Sequence, residues 1–594
     1  GVNYLRVALK GPEKNPLGLG AKVTVIHDEH RQIQEMTLTR GFQSSVEPIL
    51  HFGMGDNKII DTLKVDWPDG TEQIIINPEI NKLTLLEHSK KEGMSAKENR
   101  VKNIINDITA KSNIDFAHEE DLYDDYQLEP LIPYRYSMLG ATIAVGDVNG
   151  DGLEDFYAGN AAGSKSALYL QNEDATFQEL NGPWSQDAGQ EDLGALFYDF
   201  DNDGDLDLYV ASGGSPNQDL TDRLYVNTEE GFIKSLSSLP QMSFAGQSIA
   251  ISDFDHDGLM DVFVGGRNTP GKYPYPTSSV LLRNLGGKDR NLKFERVEKP
   301  FGNGSNELGM VTDAVWADLD GDGWEDLILA GEWMPITVFK NNKGKLEDWT
   351  DEMELLGTDG WWYSLRLLDV DLDGDLDIVA GNLGLNYKYQ ASDTSPFKVY
   401  STDFDENGSN DIVLSYKKNG RNLPLRGREC SSQQVPAIAK RYGTFVEYAN
   451  ADLEDIYGEQ MLENSLHYQV TSFAHSWFEN VDGKFQRHNL PPRAQLSVIK
   501  DIEVIDYNKD EFPDLLLFGN LYQAEVETPR GDAGVGLILV GSKDGYMAIE
   551  PSKSGLFIRG DIKSVVPIKL ANNNNGFLLG ANDANLRLVD YKPE

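Results

Sequence analysis

The chain has 594 residues, of which 96 are Asp or Glu and 53 are Lys or Arg, for a net charge of −43. That length exceeds what one hydrophobic core serves, so several domains or a large repeat array is expected, while so acidic a surface repels phosphate and excludes nucleic acid and anionic membranes as partners. One cysteine, Cys430, excludes an internal disulfide and cysteine-based metal sites, and the apolar runs stop short of the ~18 residues that a membrane-spanning helix needs.

The chain opens on Gly1 with no signal peptide ahead of it, which points to a processed start or to a piece of a longer chain. Residues 1–90 alternate or run apolar in YLRVALK, AKVTVIHD, EMTLTR, DTLKVDWPDG, QIIIN and KLTLLEH, with Gly, Asn and Pro-Asp-Gly turns between them. This pattern predicts a small, separate β domain of sandwich type. Residues 88–100 are polar and read as linker, and 91–137 as a linker and lead-in segment.

From residue 138 to 594 a repeat organises the sequence. Seven copies of D-x-[DN]-x-[DN]-G-x-x-D begin at Asp147, Asp199, Asp253, Asp318, Asp369, Asp403 and Asp506, each running into an apolar, β-rich stretch. ANNNNGFLLGAND, from Ala571, keeps the strand and lacks the acidic loop. Between most copies lies a second signature, a short strand ending in Asn: SALYLQN, DRLYVNT, SSVLLRN, PITVFKN, HSWFENVDGKF. Four antiparallel strands recurring every ~50 residues describe a propeller blade, which must stack on its neighbours to bury its faces. The fold class is therefore all-β, a seven- or eight-bladed β-propeller. The loops at Asp369 and Asp403 are too close for a full blade between them, and residues 431–466 read as a helical insertion.

In each loop positions 1, 3, 5 and 9 offer side-chain oxygens, position 7 a carbonyl, and Gly at position 6 permits the sharp turn. An all-oxygen shell of this kind suits Ca²⁺ rather than a transition metal. The expected ligands are Asp147, Asn149, Asp151, Leu153 and Asp155; Asp199, Asp201, Asp203, Asp205 and Asp207; and Asp253, Asp255, Asp257, Leu259 and Asp261. They continue with Asp318, Asp320, Asp322, Trp324 and Asp326; Asp369, Asp371, Asp373, Asp375 and Asp377; Asp403, Asp405, Asn407, Ser409 and Asp411; and Asp506, Asn508, Asp510 and Asp514. Three or four carboxylates packed this closely repel one another unless a cation is present. Six or seven Ca²⁺ ions on one face are expected, the last loop being weakest because Glu511 stands where Gly is wanted.

These loops resemble the FG-GAP/VCBS repeats of integrin-type calcium-binding propellers. NPLGLGAKVTV (Asn15 to Val25), GFQSSVEPILHFGMGD (Gly41 to Asp56) and DTLKVDWPDGT (Asp61 to Thr71) resemble the ASPIC/UnbV module. The order, module then propeller, is similar to large VCBS-repeat proteins of Bacteroidetes-type bacteria and to the cartilage acidic protein family. The resemblance implies an extracellular or bacterial cell-surface location, associated with the outer membrane, and in the longer relatives another propeller precedes the module.

No G-x-S-x-G, HExxH or P-loop stands out. Segments that flank the strands away from the loops are rich in aromatic, Asn and Arg residues, notably Arg267, Trp333, Trp361, Trp362 and Asn382. Such groups either wedge neighbouring blades together or form a ligand platform at the axial mouth, suited to a glycan or a cell-surface protein. Arg-Gly-Asp occurs at Arg530–Asp532 and Arg559–Asp561 and, as a three-letter match, assigns nothing. A binding or scaffold module is the expected function, and a calcium-dependent polysaccharide lyase the enzymatic alternative.

Overall fold

In the computed structural model, residues 2–27, 30–88, 104–302 and 304–592 are described. The chain divides into two compact units, residues 1–101 and 102–594. Most of the polar linker lies outside the described residues.

The first unit holds two sheets. Asn3–Lys10 pairs with Ile49–Gly55 and, in parallel, with Leu83–Glu87. Lys22–His27 lies between His30–Glu35 and Thr62–Asp66, with Glu72–Ile76 outermost. Alternate residues point inward, as a half-buried strand requires. Leu5, Val7 and Phe52 of one sheet thus share a core with Val23, Val25 and Val65 of the other.

The second unit is a ring of seven antiparallel sheets, six of four strands and the fourth of five, with an eighth, four-stranded sheet inserted in the fifth. The first strands of the seven are Ile143–Gly146, Glu191–Tyr198, Gly246–Ser252, Met310–Ala317, Ser364–Leu368, Asp501–Ile505 and Ile562–Lys569. Each touches the one before and the one after, and the last returns to the first, so the ring closes on itself. The second strands, such as Asp207–Gly213 and Asp261–Gly266, are buried along their whole length between neighbouring sheets. This is why they read as continuous apolar runs rather than as alternation. The seventh sheet takes its outer strand, Ile105–Asp107, from the beginning of the unit, paired with Arg587–Tyr591. Joining the two ends of the unit in one sheet locks the ring, so 104–107 is structural rather than lead-in.

The loop at Asp403 explains the crowded spacing. Phe397–Thr402, Asp411–Lys418, Arg421–Pro424 and Leu466–Val470 form a separate sheet, inserted between the second and third strands of the fifth. The helical insertion expected over 431–466 lies within it as five short helices between Arg428 and Asn464. Two of them begin with capping boxes, Thr444 with Glu447 and Asp452 with Asp455. Val435, Ile438, Leu453 and Leu462 pack against Val413 of the inserted sheet.

Candidate metal centres

Each acidic loop joins a first strand to a second, and its ninth residue is the first of the second strand. Asp155, Asp207, Asp261, Asp326, Asp377, Asp411 and Asp514 are all buried there. The leading Asp folds the loop by accepting two backbone N–H groups. Asp203 N and Gly204 N donate to Asp199 at 3.1 and 3.0 Å, and Asp257 N and Gly258 N to Asp253 at 2.9 and 3.0 Å. The same pair recurs at Asp318, Asp369 and Asp403. Two positive-φ residues make the turn: position 4 (Asn202, His256, Leu372, Glu406) and the Gly at position 6, for example Gly204 at φ +103. Gly is needed at the latter because other residues enter that region only under strain.

Five loops bring three carboxylates together with ligand atoms within 4.8 Å of one another: Asp199/Asp201/Asp203, Asp253/Asp255/Asp261, Asp318/Asp320/Asp326, Asp369/Asp371/Asp377 and Asp403/Asp405/Asp411. Among these, buried oxygens on Asp255, Asp261 and Asp405 have no hydrogen-bond partner, and neither do oxygens of the seventh-position Asp205 and Asp375. Burial pushes the ninth-position carboxyls up, Asp207 and Asp261 to about 8 and Asp326, Asp377 and Asp411 to about 6. Neighbouring loop carboxylates add to the rise at each of these five. Unpartnered, crowded and desolvated oxygens are a donor set that lacks positive charge. A hard divalent cation fits it, and Arg283, paired with Asp255 at 2.8 Å and Asp257 at 3.0 Å, supplies part of the same charge in the third loop.

The first and seventh loops differ. Asn149 and Asn508 donate to Asp151 and Asp510 at 3.1 and 2.6 Å, so one neutral ligand replaces a carboxylate in each. Glu511 does not take the positive φ expected of its position. The seventh loop relaxes instead, with Lys509 N donating to Asp506 at 2.7 Å, so the strain foreseen for Glu511 does not arise.

Placement of the loops on a single face needs correction. Six belong to ring sheets and share one side, where His256 of the third loop stacks on Trp324 of the fourth at 3.7 Å. The loop at Asp403 belongs to the inserted sheet on the other side, where Asn410 donates to the Tyr273 carbonyl at 3.2 Å. The recurring Asn at the end of the third strand, whose role was not evident in the sequence, ties the loops together. Asn227, Asn284 and Asn341 donate to the carbonyls of Val148, Phe200 and Phe254 in the loop of the preceding sheet, at 2.9, 2.8 and 2.9 Å.

The platform foreseen on the opposite side is interior. Trp361, Trp362 and Asn382 are 0% exposed, Arg267 1% and Trp333 3%. Side chains with no open surface cannot present a face to a ligand, so the wedge reading holds and the platform reading falls. Residues 115–139 close this mouth. His118 N pairs with the Ala584 carbonyl, Asp121 accepts from Gln218, Glu129 accepts from Tyr273 N at 2.6 Å, and Arg135 N pairs with the Gln523 carbonyl. Tyr134 and Tyr136 of this segment donate to Glu332 at 2.9 and 3.1 Å, and Glu332 also binds Arg267 at 2.6 Å. Trp361 meets Trp333, Tyr389 and Phe473 edge to face at 5.2–5.7 Å. Its neighbour Trp362 lies between the fourth and fifth sheets against Phe478. Nor are the Arg-Gly-Asp triplets free: Arg530 pairs with Asp532 at 3.0 Å, and Asp561 is buried beside Lys563 at 3.1 Å.

Burial pushes the Glu129 carboxyl up to about 7, against the opposing hydrogen bond from Tyr273 N. Its folded pKa lies above its unfolded value, so its contribution is most favourable below about pH 4.5 and is lost as pH rises through 7. Glu129→Gln keeps an acceptor for Tyr273 N and removes the ionisation. Relative to the unmodified chain, the variant should gain up to roughly 3 kcal/mol between pH 5 and 8. Denaturant melts of both proteins across that range check this; a constant difference would contradict it.

A family model described as ASPIC and UnbV matches residues 11–93, and one described as FG-GAP-like repeat matches 147–210, 199–264 and 318–380. The loops at Asp403 and Asp506 lie outside those matches. Cartilage acidic protein 1 of Xenopus tropicalis is 28% identical over 214 residues, covering 35% of this chain and 32% of that protein. The Mus musculus protein of the same name is 24% identical over 217 residues, again 35% and 32%. The matches thus span about a third of the length of these curated relatives. Among solved structures, the V. cholerae biofilm matrix protein Bap1 covers 80% of this chain and 90% of its own at 12% identity, with a TM-score of 0.31. The extracellular domain of a B. thetaiotaomicron hybrid two component system gives 10% identity, 77% and 39% coverage and a TM-score of 0.32. At those scores the likeness carries no argument.

Proposed function

We propose that this chain, which carries an ASPIC and UnbV module ahead of FG-GAP-like repeats, is a calcium-stapled seven-bladed β-propeller that serves as a binding or scaffold module at the cell surface. The observation that carries the reading is the five three-carboxylate clusters, two of which hold buried oxygens, on Asp255, Asp261 and Asp405, with no hydrogen-bond partner. All donors are oxygen, the loops are short and turn on Gly, and the shell is the hard, flexible kind that Ca²⁺ takes. Sites of this sort fill where calcium is millimolar, which favours an extracellular setting. With one cysteine and no disulfide, the ions take the place of covalent cross-links.

The ring of seven first strands supports seven blades, with the eighth sheet an insertion and not a blade. The partner is a glycan or a surface protein, and the role is binding rather than catalysis.

Each loop supplies its own ligands, so the ions are separable. Asp203→Ala should remove one ion and leave the others, measured as calcium per chain by native mass spectrometry. Loss of all ions together, or of none, would overturn the reading.

A further inference from the structure

The inserted sheet and the segment leading into it enclose a cleft of about 470 Å³, walled by Lys388, Tyr389, Gln390, Ser392, Tyr416 and Lys417 among others. Its chemistry runs against that of the molecule. Acidic residues outnumber basic ones 96 to 53 in the chain, yet no carboxylate lines this cleft. Lys417 is exposed and has no ion-pair partner among the described residues. Lys388 is held at the rim by the Glu527 carbonyl at 3.1 Å and the Thr528 hydroxyl at 3.3 Å, and it pairs with the buried Glu525 carboxylate at 3.6 Å.

The inner wall carries unused hydrogen-bonding groups. The Tyr389 hydroxyl, on a residue only 2% exposed, lies beside Thr528 and Arg426 without an aligned hydrogen bond. Arg426, next to Leu425, does not itself line the cleft; its Nη1 binds Glu525 at 2.6 Å, and its buried Nε and Nη2 make no aligned hydrogen bond. Unsatisfied buried donors are costly unless a ligand or water takes them up. Lys388 also lines a neighbouring cleft of about 530 Å³ with Asn386, Tyr387, Arg530 and Asp532, where Arg530 pairs with Asp532 at 3.0 Å and the Tyr387 hydroxyl is likewise unpartnered.

We propose that this cleft binds a carboxylated sugar unit, and that the neighbouring cleft takes the next unit of a chain. This rests on the reading of the protein as a binding module and names its ligand class. Lys417 supplies the charge for one carboxylate, Gln390 and Ser392 suit ring hydroxyls, and the Tyr416 ring offers an apolar face to a pyranose. The volume is that of a small-molecule site rather than of a protein interface.

The test is titration calorimetry of the full chain in saturating calcium with galacturonate, a linear oligogalacturonate, galactose and inorganic phosphate. Galacturonate should bind saturably, at least about tenfold more tightly than galactose or phosphate, a difference of about 1.4 kcal/mol. A tighter oligomer upholds a next unit in the neighbouring cleft, and equal affinity overturns that part and leaves a site for a single or terminal unit. Lys417→Glu, at an exposed position, should weaken binding about tenfold, and Tyr416→Ala should also weaken it. The inference is overturned if neither acid binds, if phosphate or galactose binds as tightly, or if Lys417→Glu leaves the affinity unchanged. Calcium content measured on the same sample keeps the two readings apart. Filled loops without uronate binding sink this inference alone, and empty loops sink the calcium reading.

Discussion

Excess chelator should lower the melting temperature of the 102–594 unit by roughly 10 °C. If each loop binds calcium with a Kd on the order of 0.1 mM in millimolar calcium, occupancy stabilises the fold by roughly 1–2 kcal/mol per site. Six or seven sites then contribute roughly 6–14 kcal/mol, as much as the whole stability of a typical domain. For a unit of this size the unfolding entropy is about 1 kcal/mol/K, which converts that loss to roughly ten degrees. Part of the loss is direct repulsion, because Asp199, Asp201 and Asp203 are left within 4.8 Å of one another with no cation. Raising the salt concentration should soften the effect by screening. Calorimetry with and without chelator makes the comparison, and an unchanged melting curve would mean that the loops hold no ion of consequence.

Trp361→Ala should destabilise the protein by about 3–5 kcal/mol, the range for truncating a large aromatic in a core. Trp361 is wholly buried and lies against Tyr134 of the mouth segment, Trp333 of the fourth sheet and Phe397 of the inserted sheet. Its removal opens a void among elements far apart in sequence, none of which can collapse alone. Trp361→Phe, which leaves much of that contact, should lose less. Denaturant melts measure both. A Trp361→Ala protein as stable as the parent would show that this ring is not the joint between mouth segment, ring and inserted sheet.

Much of this was legible in the chain because the repeat is local. Nine residues hold the ligands, the turn glycine and the start of the buried strand, so each copy from Asp147 to Asp514 reports its own geometry. The first unit was legible for the same reason, its strands alternating as half-buried strands do. What the sequence hid depends on contacts between distant segments. Whether Trp361 faces solvent or a neighbour is decided by residues 115–139, and the tyrosines of PYRYS carry no periodic signal that they cross the mouth. The loop at Asp403 follows the same nine-residue pattern as the others, yet it belongs to an inserted sheet and lies on the opposite side. The Asn that ends the third strands recurred plainly, and its use, reaching the carbonyl of the loop one sheet earlier, is visible only once the sheets are side by side.

The most direct test is the number of calcium ions per chain, measured by elemental analysis after equilibrium dialysis at about 2 mM free calcium with magnesium in competition. The account predicts six or seven calcium ions per chain and little magnesium. One ion or none, or magnesium filling the loops as readily as calcium, would contradict it.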